Sequence, residues 1–502
     1  MPSTSRHAAR RPWRRFAGAS LPLAVAAFIA LAPASSGAAG RRAPRSPVSG
    51  SVLTAQAVHA GTLVPGRGVS TPRQVPDVTV LPNVRVSNHG TQPVNEVPVT
   101  ADPNNSNHLL SGGNDYNCAN VQGFFASDDG GFTWPHQHCM GVLAGKQGFG
   151  DPNVAYGLDG TAYILGIDAT GSLTSGVIAF EKSTDNGVTW SPVAAGARAY
   201  YPNGLTDKEW TEIDHSAGSP YAGCIYVSIT QFDTSFNKET ITVDHSCDGG
   251  TTWSGPKAAS TEAVFPNVNQ FSDLAIGSDG TVYVTWMNCD ANGPAGDCGG
   301  TVARINVASS SNGGNTWSTP VQLHTVKLAS DSCFCAFYGN VPSTSERVSE
   351  IPVIDIDNSG GGHDGYLYVA DYDFTPGYLQ LRVSKSTDGG ATWGSPAPVH
   401  ASTNQDQFLH WLSVDQATGR IGVTFLLRSG TQYAEYAGAS RNGSAFRTQK
   451  IADQISSFSH DGFGGSFMGD YTGNIWAGGI LHAVWPDTRT NVSQDEWGGV
   501  QT

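Results

Sequence analysis

Short runs of alternating apolar and polar residues recur throughout residues 77–502, and Gly, Pro and Asn separate these runs. Residues 282–286, Val-Tyr-Val-Thr-Trp, which follow a Ser-Asp-Gly-Thr turn, are a typical case. A period of two places successive side chains on opposite faces of a β-strand. The helical spacing of apolar residues is nearly absent. The pattern therefore predicts an all-β chain built from short strands.

An eight-residue pattern, Ser-x-Asp-x-Gly-x-Thr-Trp, returns along the chain. Its five copies begin at Ser127, Ser183, Ser246, Ser310 and Ser386, and a worn sixth copy occupies residues 440–444. The third position of the five copies holds Asp129, Asp185, Asp248, Asn312 and Asp388. A short Asp or Asn side chain can close a turn by accepting backbone hydrogen bonds, Gly can take a positive φ, and Trp can pack against a neighbouring unit. We expect structural turns that do not touch substrate.

A second repeat gives the number of units. An acid followed by a short alternating run recurs along the chain. The strict copies begin at Glu96, Asp151, Glu212, Asp273 and Glu350, and the less strict copies begin near His410 and Asp470. Seven units of roughly 60 residues, each with four antiparallel strands, predict a seven-bladed β-propeller. A six-bladed ring, with residues 410–446 as an irregular insert, is the alternative.

The two ends of the chain complement each other. The last unit, which begins near Asp470, lacks a fourth strand and a copy of the eight-residue pattern. Residues 78–86 precede the first unit and contain a free strand. We therefore predict that this N-terminal strand completes the last blade and closes the ring.

The N-terminal segment has the features of a secretory leader. Residues 1–39 contain four Arg between positions 10 and 15, an apolar run at 21–31 and small residues thereafter, which is typical of a signal peptide. Residues 40–76, rich in Ala, Pro, Ser, Gly and Arg, are predicted to be a disordered linker, and residues 77–502 the propeller. No later stretch is apolar enough to cross a bilayer. We expect a secreted monomer.

Charge and cysteine usage narrow the partners. The chain carries 28 basic and 42 acidic residues, a net charge of −14, and loss of the five Arg in the leader makes it more negative still. Nucleic acid is therefore a poor candidate. Local pairing of the cysteines predicts three disulfides, Cys118–Cys139, Cys224–Cys247 and Cys289–Cys298, while Cys333 and Cys335 stand too close together for a comfortable bridge. A zinc site is the rival interpretation for that last pair.

The five copies of the eight-residue pattern, together with residues 469–471 and 481–489, resemble the sialidase-like, Asp-box (BNR-repeat) propellers of secreted bacterial proteins. The resemblance covers about residues 78–502 and implies a propeller that acts on or binds an extracellular glycan. Sialidases of this family clamp a carboxylate with three arginines and use a Tyr nucleophile, a Glu and an Asp acid/base. The segment that holds the first arginine in the family reads Glu96-Val97-Pro98 here and contains none.

The resemblance supplies candidates for the remaining parts. The catalytic candidates are Asp115, Glu212, Glu350 and Tyr471, and the substrate-binding candidates are Asp151, Asp273, Arg347, His410, Asp470 and Arg489. A turn residue is the alternative for Asp115, and a buried aromatic for Tyr471. Exposed aromatics on the inner strands, including Trp210, Trp411 and Tyr372, could stack on sugar rings.

The recurring acids have a rationale of their own. If they head the innermost strands, they converge at one mouth of the channel and raise one another's pKa values. Such a ring could serve glycoside hydrolysis, could hold a cation such as Ca²⁺, or could cap backbone N–H groups. Residues 355–364 resemble half of a calcium loop, but an acidic turn is the alternative there. No cofactor is certain from these features, and Ca²⁺ is the candidate.

Three functions follow from these features. The first is a glycoside hydrolase that resembles an exo-sialidase and works at the channel mouth. The second is a glycan- or protein-binding propeller without catalysis, which the missing arginine favours. The third is a polysaccharide lyase, for which His410, His460 and Arg347 could provide a base and a positive group. Whether the protein is an enzyme remains open at this level.

Overall fold

The computed structural model describes residues 50–61, 82–88, 90–289, 302–329, 339–402, 404–489 and 495–501. Within these ranges the chain is almost entirely β-strand, with one α-helix, α1 (Gly50–His59), and one 3-10 turn at Phe458–His460. None of the described helical segments has the length and apolar character needed to cross a bilayer. The all-β prediction is confirmed.

The strands form seven antiparallel sheets, which we call blades 1 to 7. The first strand of the chain, β1 (Val84–Arg85), belongs to blade 7. Blade 1 contains β2 (Val94–Asn95), β3 (Val99–Asp102), β4 (Asn105–Asp115), β5 (Gly123–Ser127) and β6 (His136–Cys139). Blade 2 contains β7 (Gln147–Gly148), β8 (Asn153–Tyr156), β9 (Ala162–Ala169), β10 (Val177–Ser183) and β11 (Ala194–Arg198).

The next three blades follow in chain order. Blade 3 contains β12 (Leu205–Ile213), β13 (Ile225–Phe232), β14 (Lys238–Ser246), β15 (Lys257–Ala258) and β16 (Ala263–Val264). Blade 4 contains β17 (Val268–Ile276), β18 (Val282–Cys289), β19 (Val302–Ser310) and β20 (Val321–Lys327). Blade 5 contains β21 (Val353–Ile356), β22 (Leu367–Asp373), β23 (Gln380–Ser386) and β24 (Ala397–Pro398).

The last two blades complete the ring. Blade 6 contains β25 (Gln407–Val414), β26 (Ile421–Ser429), β27 (Gln432–Ser440), β28 (Arg447–Lys450) and β29 (Ser456–Ser457). Blade 7 contains β30 (Gly473–Ala477), β31 (Ile480–Asp487) and β32 (Asp495–Gln501) together with β1. The innermost strands contact one another in a closed cycle, in the order β3, β8, β12, β17, β21, β25, β30 and back to β3. The sheets therefore form a seven-membered propeller.

Ring closure follows the prediction. Strand β1 pairs with β32, placing Val84 opposite Gly498 and Arg85 opposite Trp497. Next to this strand, the side chain of Asn83 donates to the carbonyl oxygen of Ile451 at 3.0 Å. The two ends of the described propeller are thus joined within one sheet, which leaves no open edge between blades 7 and 1.

All five copies of the eight-residue repeat form the same turn. In the second copy, Asp185 accepts hydrogen bonds from the hydroxyls of Ser183 and Thr189 and from the backbone N–H of Thr189. Asn312 makes the corresponding bonds through its amide, accepting from Ser310 and donating to Thr316. The Trp of one turn packs on the preceding blade, since Trp253 of blade 3 lies 6.1 Å from Phe180 of blade 2. These acids hold turns, as predicted.

Helix α1 departs from the predicted disordered linker. Its Val52 and Ala55 are fully buried in the same apolar cluster as Phe149, Phe463 and Phe467. The imidazole Nε2 of His59 lies 2.5 Å from the carbonyl oxygen of Gly148, where the N–H tautomer donates a hydrogen bond. The prediction of disorder fails for this helix because a local apolar face finds a partner on the propeller. The leader and the other linker residues lie outside the described ranges.

Two of the predicted disulfides are present, Cys118–Cys139 and Cys224–Cys247. Cys289 is also disulfide-bonded, whereas its predicted partner Cys298 lies outside the described residues. Cys333 and Cys335 lie outside them as well. The Cys118–Cys139 bridge fastens the loop that follows β4, close to the start of the inner strands.

Candidate functional site

The inner strands share an irregularity near their N-terminal ends. Glu96, Asp151 and Lys208 have φ values of 57°, 50° and 46°, and Gly469 takes 90° at the corresponding place in blade 7. In β12 the pairing register shifts between Asp207 and Trp210, which marks a β-bulge at Lys208. Positive φ at non-glycine residues is a strained conformation that clusters at functional sites. The side chains around these positions form the group that we call the mouth cluster, which comprises Glu96, Asp151, Lys208, Glu209, Arg347 and Asp470.

An arginine joins two acids on one side of the mouth cluster. The Nε and Nη2 atoms of Arg347 lie 2.9 and 2.8 Å from Oδ1 of Asp470, and Nη2 lies 3.9 Å from Oε1 of Glu96. Glu96 also accepts the backbone N–H of Asp470 at 3.0 Å. Burial, followed by the charges of Asp151 and Asp470, raises the pKa of Glu96 well above its usual range. Burial of this carboxyl group therefore disfavours its charged form.

Asp151 links the mouth cluster to blade 3. Its Oδ2 accepts the backbone N–H of Lys208 at 3.1 Å, and its own N–H donates to Oδ1 of Asn114 at 3.0 Å. Asn114 in turn donates to Oε2 of Glu96 at 2.9 Å. Asp151 is fully buried. The acids at the heads of blades 1, 2 and 7 thus meet as predicted, and they also cap backbone groups.

Lys208 lies beside an aromatic group. Its Nζ sits 4.1 Å from the ring centroid of Tyr471 and 4.6 Å from that of Trp210. Trp210 and Trp411 are in ring contact, with centroids 4.1 Å apart. The ammonium of Lys208 is fully buried and makes no hydrogen bond. A buried, unpaired ammonium is costly unless a ligand supplies its partner.

The carboxyl group of Glu209 is the second unpaired polar group at this place. It is 1% exposed, and neither oxygen has a hydrogen-bond partner. Burial, followed by the charge of Asp151, raises the pKa of Glu209 well above its usual range, while Lys208 opposes the shift. Burial therefore favours the protonated form of Glu209.

Lys208 and Glu209 were not predicted as site residues. The repeat of acids at strand heads pointed to Glu212 in the third unit, and Glu212 lies four residues beyond the bulge at Lys208. The available signal was three consecutive charged residues, Asp207 to Glu209, at the start of a run that continues as a strand. A buried strand tolerates such a run only where the backbone turns those side chains toward partners or a site.

Tyr471 belongs to the mouth, but its surroundings do not favour a nucleophile. Its hydroxyl donates to the carbonyl oxygen of Pro152 at 3.0 Å. Burial, followed by the charge of Glu96, raises its pKa well above the usual range. A nucleophilic phenol needs the opposite shift. The contacts match the alternative of a buried aromatic.

The mouth cluster is covered. The guanidinium of Arg347 stacks on the ring of Phe467 at 4.3 Å, and Phe467 shares its apolar cluster with Phe463 and with Val52 of helix α1. Asp461 holds the covering segment, residues 461–468, by accepting four backbone N–H groups within it. Phe467 of this segment therefore lies directly over Arg347, one member of the mouth cluster.

A second group of acids lies further along the inner strands. The carboxylate of Asp273 accepts the N–H of Ile354, and that of Asp355 accepts the N–H of Val414. Burial raises the pKa of Asp273 to about 8 and that of Asp355 to about 7. The pKa of Glu212 is raised by burial and then by these two acids. Asp273 and Asp355 tie adjacent blades together, which is the capping role.

Glu350 and His410 lie between blades 5 and 6. Both carboxylate oxygens of Glu350 lie 3.3 Å from the backbone nitrogen of Tyr372, whose N–H they accept. His410 is buried near the carbonyl oxygen of Ala370, and burial lowers its pKa to about 4. Tyr372 is also fully buried. Among the described residues, no hydrogen bond or ion pair joins Glu350 or His410 to the mouth cluster.

The remaining predicted residues have other partners. Asp115 accepts hydrogen bonds from Asn117 in the turn after β4, and Arg489 pairs with Asp453 and Asp487 near the ring closure. In the half-loop at residues 355–364, Asp364 accepts the N–H of Gly360, which makes an acidic turn. Within the described ranges no group of three or more His, Cys, Asp or Glu side chains is placed to hold a metal ion.

Comparison with known proteins gave distant structural neighbours. No family profile and no curated protein sequence matches the chain. A Hadza microbial sialidase aligns over 72% of this chain and 66% of its own, at 15% identity and a TM-score of 0.43. A polysaccharide lyase described as an ulvan lyase aligns over 84% and 95%, at 11% identity and 0.49. An α-L-arabinofuranosidase from Fusarium graminearum aligns over 72% and 98%, at 15% identity and 0.45.

Proposed function

We propose that this chain is a secreted, glycan-acting propeller that cleaves a glycosidic bond at the mouth cluster. The observation that carries the proposal is the meeting of buried carboxyls, two cations and an aromatic group at one end of the channel. Within the described ranges the carboxyl group of Glu209 and the Nζ of Lys208 have no hydrogen-bond partner, although both residues are almost completely buried. Unsatisfied groups of this kind are rare in structural positions and common where a ligand binds.

The carboxyls differ in their environments, which suits acid and base roles. Burial and neighbouring acids raise the pKa values of Glu209 and Glu96 well above their usual range. Asp470, by contrast, forms a salt bridge with Arg347. Glycoside hydrolysis needs one carboxylic acid to protonate the leaving oxygen and one carboxylate to act as base or nucleophile. We assign Glu209 as the acid because its oxygens are free to approach a substrate, and Asp151 as the carboxylate.

Trp210 and Trp411, which were predicted to be exposed, are buried in this structure, and the aromatic group can serve as a surface for a sugar ring once the covering segment is displaced. Trp210, Trp411 and Tyr471 lie within 6.1 Å of one another by ring centroid. The C–H faces of a pyranose pack on aromatic rings much as other apolar surfaces do. Their position beside Lys208 places a bound ring within reach of Glu209. The two disulfides fit an extracellular protein acting on an extracellular glycan.

Product analysis tests the proposal. The purified protein is incubated with sialylated, neutral and uronic-acid glycans, with and without a calcium chelator, and the products are identified by mass spectrometry. We expect a hydrolysed sugar from at least one class. The Glu209→Gln variant removes the proposed acid, and we expect it to lose this activity. The Glu435→Gln variant is its matched control, because Glu435 is also buried, with no partner for either oxygen among the described residues, but lies on β27, away from the mouth. Absence of any product would favour the non-catalytic binding function.

A lyase is the second candidate, and Lys208 is the observation that favours it. Elimination next to a uronic acid needs a positive group for the carboxylate and a base for the proton at C5. An unpaired ammonium beside a sugar-binding aromatic group could meet the first need, and Arg347 lies in the same cluster. An unsaturated uronic product, in place of a hydrolysed one, would identify this reaction.

A further inference from the structure

The repeat turn of each blade covers the edge of the blade before it. At blade 1, Ala126 of β5 pairs with His136 of β6, and Gly187 of the blade 2 turn lies over this pair. A Cβ at Gly187 would stand only 3.0 Å from that of Ala126 and 3.9 Å from that of His136. The turn glycines of blades 3 and 6 approach Phe180 and Tyr368 of the preceding blades in the same way.

Blade 6 lacks this cover. Its equivalent pair is Ala439 of β27 and Arg447 of β28. In the other blades, the turn that covers such a pair connects the third and fourth strands of the next blade. In blade 7 the third strand is β32 and the fourth strand is β1, which comes from the N-terminal end of the propeller. No repeat turn therefore connects these two strands. Ring closure therefore leaves one edge open within the described residues.

A groove of about 900 Å³ occupies this edge. Its charged lining consists of Arg420, Arg441 and Arg447, and its other polar lining includes Asn442, Thr448 and Gln449. The same edge in blade 1 carries His136, which is paired with Asp128 at 2.7 Å. No acidic residue lines the groove of blade 6.

The three arginines are unpaired. Among the described residues, none of them donates a side-chain hydrogen bond or forms an ion pair, and Arg420 instead stacks on Trp476 at 4.6 Å. Arg347, Arg382, Arg428 and Arg489, in contrast, are each paired with an aspartate. The chain has a net charge of −14, yet the three arginines of this groove do not pair with any described acid.

We propose that this groove binds an anionic stretch of polysaccharide, through carboxylate or sulfate groups on consecutive sugars. Guanidinium groups bind both anions in bidentate geometry, and Asn442 can bond to a sugar hydroxyl. The volume lies in the range of sites for small ligands or a few sugar units. The net charge of −14 of the whole chain opposes the binding of a long nucleic acid. The groove would retain a polymer at a distance from the mouth cluster.

Binding is measured by isothermal titration calorimetry on the full chain. The probes are tetragalacturonate, a sulfated heparin-derived tetrasaccharide and neutral maltotetraose. We expect at least one anionic probe to bind, maltotetraose not to bind, and the double variant Arg441→Gln/Arg447→Gln to weaken binding by about tenfold or more. Arg198→Gln, at an exposed arginine of blade 2, is the matched control and should bind as the wild type does. Thermal melting verifies that each variant is folded.

Three results would overturn the proposal. The first is no binding of either anionic probe to the wild type, and the second is unchanged affinity of both probes for the double variant. The third is equal or tighter binding of a DNA oligonucleotide of matched charge, which would assign the groove to nucleic acid. Glu209→Gln should leave the groove affinity unchanged, so a failure of the proposed reaction at the mouth is distinguishable from a failure of this site.

Discussion

At the scale of single residues, the mouth cluster combines groups that a purely structural role does not explain. Glu96, although buried, is fully hydrogen-bonded to Asn114 and to the N–H of Asp470. Glu209 is equally buried, and neither of its carboxyl oxygens has a hydrogen-bond partner on another residue in the described part of the chain. The difference separates a positioning acid from an acid that is free to act on a substrate, which is why Glu209 receives the role of proton donor.

Replacing Glu209 by Gln removes this proton while keeping the shape of the side chain. We expect a fall in kcat of about 10²- to 10⁴-fold on the glycan that the wild type cleaves, with little change in melting temperature. Wild-type activity should persist at neutral pH and decline as pH rises through the raised pKa of this acid. Initial rates across pH measure both effects. Equal rates for Glu209→Gln and the control Glu435→Gln would contradict the assignment.

The repeat turns offer a test at the residue scale as well. Hydrogen bonds from Thr189 and Ser183 lower the pKa of Asp185 to about 2. A lowered carboxyl pKa stabilises the folded state above about pH 4, and that stabilisation is lost as pH falls toward 2. We expect Asp185→Ala to lower the melting temperature at neutral pH. Asp185→Asn should be better tolerated, because Asn312 fills this position naturally. Equal melting temperatures for the two variants would refute this role.

At the scale of elements, strand periodicity and turn chemistry were sufficient to predict most of the fold. The register of the inner strands was not predictable from an acid at each strand head. A bulge at Lys208 shifts β12 so that Glu212 lies deeper in the channel and Lys208 takes the place at the mouth. The sequence contains the charged run at this bulge, but only the folded backbone shows which of its side chains converge at the mouth.

Helix α1 was missed for a related reason. Its ten residues have no strong helical periodicity or charge signal, and their stability comes from contacts with the propeller. An isolated helix of this length is marginal in water. Its partners, Phe149, Phe463 and Phe467, are distant in sequence, so no local pattern could reveal the contact.

Displacing α1 should open the mouth cluster. We expect Val52→Asp, which places a charge at a fully buried position of the helix, to increase hydrogen exchange in residues 50–61 and to raise the cleavage rate on long glycans. Ala60→Asp adds the same charge at an exposed position just after the helix and should change neither quantity. A slower reaction in Val52→Asp would show that the helix assists binding and does not obstruct it.

At the scale of the whole molecule, Arg489 takes part in closing the ring. Its guanidinium pairs with Asp453 and Asp487 and contacts Oδ1 of Asn83, beside β1. Arg489→Ala leaves these buried groups uncompensated, and we expect the free energy of unfolding to fall by about 3–5 kcal/mol. Denaturant unfolding measures the change, with Arg198→Ala as the control. A loss below about 1 kcal/mol would show that closure does not depend on this residue.

The buried acids give the molecule an unusual pH dependence. Burial raises the pKa of Asp168 to about 7, and Asp273 and Asp355 show the same direction. Since these groups hold more protons when folded than when unfolded, their contribution to stability is lost as pH rises from about 4 to about 8. We expect the melting temperature to fall over this interval and Asp168→Asn to flatten the decline. The exposed Asp388, changed to Asn, should leave the slope unaltered.

The most direct test of the central claim is a crystal structure of the Glu209→Gln variant grown with the glycan that the wild type cleaves. We predict a sugar ring on Trp210 and Trp411, its glycosidic oxygen within hydrogen-bond distance of residue 209, and helix α1 or residues 461–468 displaced from the mouth. A glycan bound only outside the mouth cluster, with the cover in place and residue 209 without contact, would contradict the claim.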